Sequence, residues 1–223
     1  MVKNGLLCEV ARSLLVGLLP AVGLAPVLAQ PPAPPPGGVV PAAMPGRQAD
    51  PPAVMLTMEN QFEQKTNLAD LRGSVVILVY GDRKGTEACR ALGEQLHVSW
   101  HPDAKGLPPG PAQKAAVVPL GGVARTQPQP DVRVVPVACC GKVPGPVRGA
   151  IRGQIAKGAP EVPVWLDFAD TMKTAFGLTG GEPNMVVFDT AGRLRMKVNG
   201  TPDQATLNRL VQVVQNLRYE AVK

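Results

Sequence analysis

The run Val75-Val76-Ile77-Leu78-Val79-Tyr80 is the stretch of sequence that decides the fold. Six successive apolar residues, most of them β-branched, are typical of a strand that is buried on both faces of a sheet. Residues 68–74 lead the chain into this strand, and residues 81–85 form the loop that follows it. Thr86 can then cap a helix whose apolar side carries Ala88, Leu92 and Leu96. The segment therefore predicts a first βα unit.

Downstream of this unit, the sequence predicts two more strands, each followed by a helix. Residues 132–138 predict a strand, and its Pro136 predicts an edge position because proline cannot donate a ladder hydrogen bond. Residues 143–157 predict a helix. Residues 162–168 predict a short strand, and the apolar positions over 172–178 predict a short helix.

The C-terminal part predicts a β-hairpin and a closing helix. Residues 184–189 and 193–198 are apolar runs joined by Thr190-Ala191-Gly192, a turn with glycine where a positive φ is wanted. Thr201 and Gln204 have the spacing of a capping box, which predicts that the last helix begins directly after Thr201.

The first part of the chain has the pattern of a signal peptide and a spacer. Residues 1–29 carry basic residues, an apolar run and Val27-Leu28-Ala29, which predicts cleavage before Gln30 and no stable membrane anchor afterwards. Residues 30–53 are proline-rich, which favours a disordered, extended spacer. A folded domain is predicted over 54–223, in a protein exported to the periplasm or the extracellular space.

Composition excludes some function classes. The net charge is +6 and aromatic residues make up 4 % of the chain, with no basic stripe alternating with stacking residues, so no nucleic-acid partner is predicted. Residues 98–130 are rich in proline and glycine without a sustained period, which predicts a long surface insertion. The two histidines, His97 and His101, are expected at a solvated helix end and loop, and no metal site or cofactor is predicted.

The order of elements resembles the thioredoxin superfamily. Residues 68–80 are similar to its hydrophobic strand and the segment before it, and Glu182-Pro183 before residues 184–193 is similar to its cis-proline hairpin. The resemblance implies an α/β chain of thioredoxin-like fold, with a central mixed β-sheet flanked by helices and a C-terminal β-hairpin and helix. It also implies a cis peptide before Pro183, and a substrate groove shaped by Pro183 and Glu182.

Within the superfamily, the chain resembles the YtfJ-like group of bacterial periplasmic proteins, which have no assigned reaction. Asn60-Gln61-Phe62, Lys65-Thr66, Val143-Pro144-Gly145 and residues 187–193 carry this likeness.

Three cysteines remain after signal cleavage, Cys89, Cys139 and Cys140. A thioredoxin site needs two cysteines two residues apart at the start of the first helix, and only Cys89 is present there. Thr86 stands three residues before Cys89, as a threonine does in peroxiredoxins, but Asp82 replaces the proline expected before it.

Parallel strands end side by side, so Cys139 or Cys140 is predicted to lie near Cys89 as a resolving thiol. The rival interpretation is that all three cysteines are small buried apolar residues.

Two functions follow from these observations. The first is a thiol oxidoreductase or peroxiredoxin-like peroxidase in which Cys89 attacks, Thr86 assists, and Cys139 or Cys140 resolves. The second is a binding or redox-accessory module without a catalytic pair, whose partner is a protein or a small-molecule thiol. The rate of alkylation of Cys89 against pH distinguishes them, because only an activated cysteine has a lowered pKa.

Overall fold

The computed structural model describes residues 50–223. The predicted signal peptide and all of the spacer before residue 50 lie outside these residues. The described strands are β1 (Thr57–Asn60), β2 (Lys65–Asn67), β3 (Val75–Gly81), β4 (Val132–Cys139), β5 (Trp165–Asp167), β6 (Asn184–Phe188) and β7 (Leu194–Val198). The described helices are α1 (Thr86–Trp100), α2 (Pro109–Ala112), α3 (Gly145–Gly158), α4 (Thr171–Phe176) and α5 (Gln204–Glu220), with single 3₁₀ turns at Leu68–Leu71 and Pro102–Ala104.

The seven strands form one mixed sheet in the order β2-β1-β5-β4-β3-β6-β7. Strands β3, β4 and β5 are parallel neighbours, whereas β6 is antiparallel to β3 and β7 is antiparallel to β6. A parallel pair joined through a helix, followed by an antiparallel hairpin and a closing helix, is the thioredoxin-like arrangement. The predicted fold class is confirmed.

Strand β3 lies at the centre because both of its faces are apolar, and all seven of its residues are buried. Alternate side chains enter two separate cores. Val76, Leu78 and Tyr80 face the core that contains the buried residues of α4, here called the α4 face. Val75, Ile77 and Val79 face the core built with α1 and α5, here called the α1 face.

The predicted edge position of β4 is wrong, because β4 lies between β3 and β5. The amide of Val75 donates to Asp131 O at 2.9 Å. This bond fixes which residues of β4 pair with β3, because only every second residue bonds to the same neighbouring strand. The residues between them, including Pro136, direct their backbone groups toward the β5 side. On that side β5 pairs only from Val137 onward. Pro136 therefore loses no ladder bond, although its strand is internal.

Two helix starts also differ from prediction. Gly85, not Thr86, is the N-cap of α1. Helix α5 begins at Gln204 and not directly after Thr201, because Asp203 caps it by accepting a 2.8 Å hydrogen bond from the Thr206 amide. Aspartate is as good an N-cap as threonine, so the nearer candidate is used.

The 98–130 segment is not simply a surface insertion, because parts of it are buried. Trp100, His101, Ala104 and Leu120 are each at most 4 % exposed. The expected solvation of His101 is wrong: its Nε2 lies 2.9 Å from Asp131 Oδ1, and its ring stacks on that of His97. Burial lowers the pKa of His97.

A fully buried arginine anchors this segment to α5. Arg218 donates from Nε to Pro130 O at 2.9 Å and from Nη2 to Val118 O at 2.8 Å. Desolvation by burial lowers the pKa of this guanidinium. The insertion is thus part of the folded unit and not an appendage.

Within residues 50–223, none of the helices combines the length and the apolar character that a membrane crossing requires.

Candidate functional site

Cys89 lies in the first turn of α1, as predicted, and its amide donates to Gly85 O at 2.9 Å. Its side chain packs into the α1-face core and over the backbone of Gly81, at the end of β3. A Cβ on Gly81 would overlap the Cys89 sulfur. The absence of a side chain at Gly81 therefore lets the Cys89 thiol pack directly against the end of β3.

The environment of Cys89 disfavours its thiolate. Burial, with a smaller contribution from the negative charge of Asp82, raises its pKa to about 11. The cations at positions 83, 84 and 90 would oppose this rise in pKa, but they lie at the exposed surface, and Arg90 is paired with Glu87 at 3.0 Å. The effect of desolvation on the pKa of Cys89 is therefore larger than that of these solvent-screened surface charges.

Thr86 is exposed, and its hydroxyl is engaged with the preceding loop. Its Oγ1 donates toward Asp82 O and Arg83 O, at 3.1 and 3.2 Å. The hydroxyl proton is thus used to close the first turn of α1. A role in positioning a peroxide stays a prediction.

Asp82 joins the two loops that border the site. Its Oδ1 accepts from the Lys84 and Gly85 amides at 2.9 and 3.2 Å, and its Oδ2 accepts from the Gly181 amide at 2.8 Å. Burial alone would raise the pKa of this carboxyl, but the amide donors outweigh burial and lower the pKa. We call this set of contacts the Asp82 latch.

The predicted cis peptide before Pro183 is wrong, because residues 50–223 contain no cis peptide bond. The loop reaches the hairpin by another route. Gly181 has a φ of +87°, and the Asn184 side-chain amide donates to Glu182 O at 2.9 Å and to Thr179 O at 2.8 Å. These bonds fix the loop with a trans proline.

Pro183 and Glu182 differ in exposure, and a substrate groove shaped by them stays a prediction. Pro183 is buried, whereas Glu182 is exposed and accepts from the Thr201 amide at 3.2 Å through Oε2. A Cβ on Gly85 would lie 3.4 Å from Gly181 O, so the two loops are already in close approach. With the Asp82 latch in place, they contact each other where a groove was expected.

The structure does not bring Cys139 to Cys89. Cys139 packs on the α4 face and Cys89 on the α1 face, so the sheet lies between them. The ends of β3 and β4 lie side by side as predicted, but the Cys89 and Cys139 side chains lie on opposite faces of the sheet. All three described cysteines are free.

Cys140 is also unsuited to attack. Its Sγ contacts Ala138 O at 3.5 Å, and burial raises its pKa to about 12. Cys139 points elsewhere, toward Asp170 Oδ1 at 3.8 Å. The two adjacent thiols therefore do not face each other.

A polar cluster around Cys139 was missed by sequence reasoning. Burial, with the neighbouring Cys139, raises the pKa of Tyr80, whose buried hydroxyl has no hydrogen-bond partner among residues 50–223. Asp170 has a φ of +58°, and the carboxylate of Asp167 accepts three backbone amides at the start of α4. The spacing of Asp167 and Asp170 after a short strand was the available signal. The described residues contain no group of three or more potential ligands placed to hold a metal ion.

Replacing Asp82 with alanine is expected to free the two loops and to lower the free energy of unfolding by about 2 kcal/mol, because three amides lose a charged acceptor. Since the pKa of Asp82 is lowered in the folded state, its contribution is present above its unfolded value of about 3.9 and is lost as the pH falls through the folded value. Urea unfolding at pH 7 and pH 3 measures both effects. A difference from the parent that is as large at pH 3 as at pH 7 would contradict the latch.

Comparison with known proteins gives a consistent but distant set of folds. No family model matches the chain, and no curated protein matches it. An exposed lipoprotein thioredoxin of Streptococcus pneumoniae is 14 % identical and covers 71 % of this chain and 98 % of its own, with a TM-score of 0.46.

Two further solved structures are similar at the same level. A thiol:disulfide interchange protein of the thioredoxin family from Chlorobium tepidum is 16 % identical over 75 % of this chain and 99 % of its own, with a TM-score of 0.44. A secreted thiol-disulfide isomerase from Corynebacterium glutamicum is 15 % identical over 75 % of this chain and 85 % of its own, with a TM-score of 0.46.

Proposed function

We propose that the chain is an exported, YtfJ-like binding or redox-accessory module of thioredoxin-like fold, and not an oxidoreductase or peroxidase that uses Cys89. The observation that carries the proposal is the packing of the Cys89 thiol on Gly81, where burial raises its pKa to about 11. A thiol in this state is protonated at neutral pH, and the thiolate is the attacking species.

The position of the other thiols supports the same function. A two-cysteine cycle needs a resolving thiol within roughly 7 Å between Cα atoms and with a suitable direction. Cys139 lies across the sheet from Cys89, and the Cys140 sulfur contacts a backbone carbonyl. Cys139 is therefore directed away from the face of the sheet on which an intermediate on Cys89 would form.

The binding surface of the module is the exposed part of the two latched loops. Arg83 and Lys84 are exposed there and make no ion pair within residues 50–223. Because the Asp82 latch fixes the backbone beneath them, these two cations are presented by an ordered loop. The surface suits a partner, a protein or a small-molecule thiol, that carries negative charge.

The alternative, a thiol-dependent oxidoreductase or peroxidase, is favoured by one observation. Cys89 lies in the first turn of a 15-residue helix, where the helix dipole stabilises an anion. The pKa of Cys89 nevertheless rises, because burial has the larger effect.

Turnover assays separate the two functions. The chain from residue 30 onward is tested for reduction of insulin disulfides by dithiothreitol and for consumption of hydrogen peroxide, beside its Cys89→Ala variant. We expect the two proteins to give equal, background rates. Turnover that exceeds background and is lost in Cys89→Ala would overturn the proposal. Intact-mass analysis of the exported protein tests the start at Gln30.

A further inference from the structure

A cavity with both apolar and charged lining residues lies at the opposite end of the sheet from Cys89. It measures about 290 Å³ and lies between residues Val132–Pro136 of β4 and the segment 64–71. Asn60, His97, Gln113, Pro163 and Trp165 also contribute to its lining. We call this cavity the β4 slot.

The β4 slot exists because β5 is short. Strand β5 fills the space between β4 and β1 only from Trp165, which pairs with Val137 on one side and Asn60 on the other. Strands in a sheet lie about 4.8 Å apart, so the line of β5, continued beyond its first residue, runs beside β4 at the spacing of a paired strand.

The β4 side of this slot presents unpaired backbone groups. The alternation fixed by the Asp131–Val75 bond turns the backbone of Val132, Val134 and Pro136 away from β3. The Val132 amide bonds to Asp131 Oδ1 at 2.8 Å, and proline has no amide proton. Three backbone groups remain without a partner among the described residues: the Val134 N–H and the carbonyls of Val132 and Val134. An extended peptide can form hydrogen bonds with such a row of groups.

Charged side chains of both signs line the same slot without full pairing. Lys65 and Asp70 make no ion pair or side-chain hydrogen bond within residues 50–223. Arg133 donates from Nε to Asp131 Oδ2 at 2.9 Å, and its two terminal nitrogens have no acceptor among the described residues. The slot therefore offers cations for a carboxylate and an anion for an ammonium group, beside backbone that pairs with peptide groups.

We propose that the β4 slot binds a short, free peptide in extended conformation. Its backbone pairs with Val134, its carboxylate is bound by Lys65 and Arg133, and its amino group is bound by Asp70. This proposal is independent of the proposed function of the latched loops, which lie at the other end of the parallel strands.

Calorimetric titration of the chain from residue 30 onward with trialanine tests the assignment. Two analogues are titrated beside it. N-acetyl-trialanine lacks the ammonium group and resembles the C-terminal end of a longer chain. Trialanine amide lacks the carboxylate. We expect each modification to weaken binding by about tenfold, as loss of a charged hydrogen bond does. Equal affinity for all three peptides, or no binding to trialanine, would overturn the proposal.

Matched variants locate the site. Lys65, Asp70 and Arg133 are exposed, so Lys65→Met, Asp70→Asn and Arg133→Met are expected to keep the fold and to lose about tenfold in affinity. Asp70→Asn should no longer discriminate between trialanine and its acetylated form. The control is Lys142→Met, an exposed lysine outside the slot, which is expected to bind normally. A loss in the control equal to that in Lys65→Met would contradict the assignment.

Amide exchange provides a second readout that does not depend on affinity. The Val134 amide is expected to exchange faster than the Val135 amide, although both lie in an internal strand, and to slow when trialanine is added. Slow exchange of Val134 in the free protein would show that the edge is already paired. Protection confined to residues 81–85 would place the peptide at the other end of the sheet and overturn the proposal.

Discussion

Replacing Arg218 with alanine is expected to lower the free energy of unfolding by about 3 to 4 kcal/mol, among the largest effects of any single change in this chain. The guanidinium is fully buried and donates to Pro130 O and Val118 O, so its removal leaves a cavity and deprives a buried carbonyl of its donor. Urea unfolding at pH 7 measures the loss. Exchange of the Leu120 amide should also become faster, because the insertion loses its anchor on α5.

Two further variants show what the arginine contributes. Arg218→Met restores much of the volume and removes a buried charge whose Nη1 has no partner within the described chain, so it is expected to cost only about 1 to 2 kcal/mol. Arg209→Ala, an exposed arginine on the same helix, is the control and should change stability by less than about 0.5 kcal/mol. A similar stability for Arg218→Ala and Arg209→Ala would show that the insertion is not held by this side chain.

Alkylation of Cys89 in the folded protein is expected to be at least about a hundredfold slower at pH 7 than in the protein unfolded by urea. With a pKa of about 11, its thiolate is far rarer than that of an ordinary cysteine, whose pKa is about 8.5. The rate with iodoacetamide should rise about tenfold per pH unit between pH 7 and pH 10. The measurement uses a variant in which Cys139 and Cys140 are serine, so that Cys89 is the only described thiol.

The same shift affects stability with a defined sign. The folded state holds the Cys89 proton to a higher pH than the unfolded chain, so its contribution is fully present below about pH 8.5 and is lost as the pH rises toward 11. Asp82→Asn removes the negative charge that adds to the shift and should speed alkylation. A rate that already levels off near pH 8.5 would show an ordinary thiol and restore the oxidoreductase as a candidate.

The fold was predictable because it depends on patterns within single segments. The apolar run of β3, the hairpin over β6 and β7 and the helix that carries Cys89 each lie where the sequence placed them. The position of Pro136 was not predictable, because it depends on where another strand, β5, begins. Likewise Asp203 and Thr201 compete for one cap, and local spacing does not rank two good candidates.

The candidate site was predictable in position but not in chemistry. The sequence places Cys89 at a helix start, yet its pKa depends on burial against Gly81, a contact between two separate elements. The same limit applies to His101 and to the two faces that separate Cys89 from Cys139. Charged residues can be counted from the sequence, whereas the desolvation that raises a pKa depends on how the folded chain packs.

The contact between Cys89 and Gly81 means that these two positions share a single volume. The sulfur occupies the space that a methyl group on residue 81 would need, so each residue limits the size of the other. A larger side chain at position 89 must leave the sheet and carry the start of α1 outward with it. A methyl group at position 81 requires the sulfur at position 89 to move or to be removed. A larger residue at either position is therefore expected to displace the other and the loop between them, whereas a smaller residue at position 89, as in Cys89→Ala, leaves the loop in place.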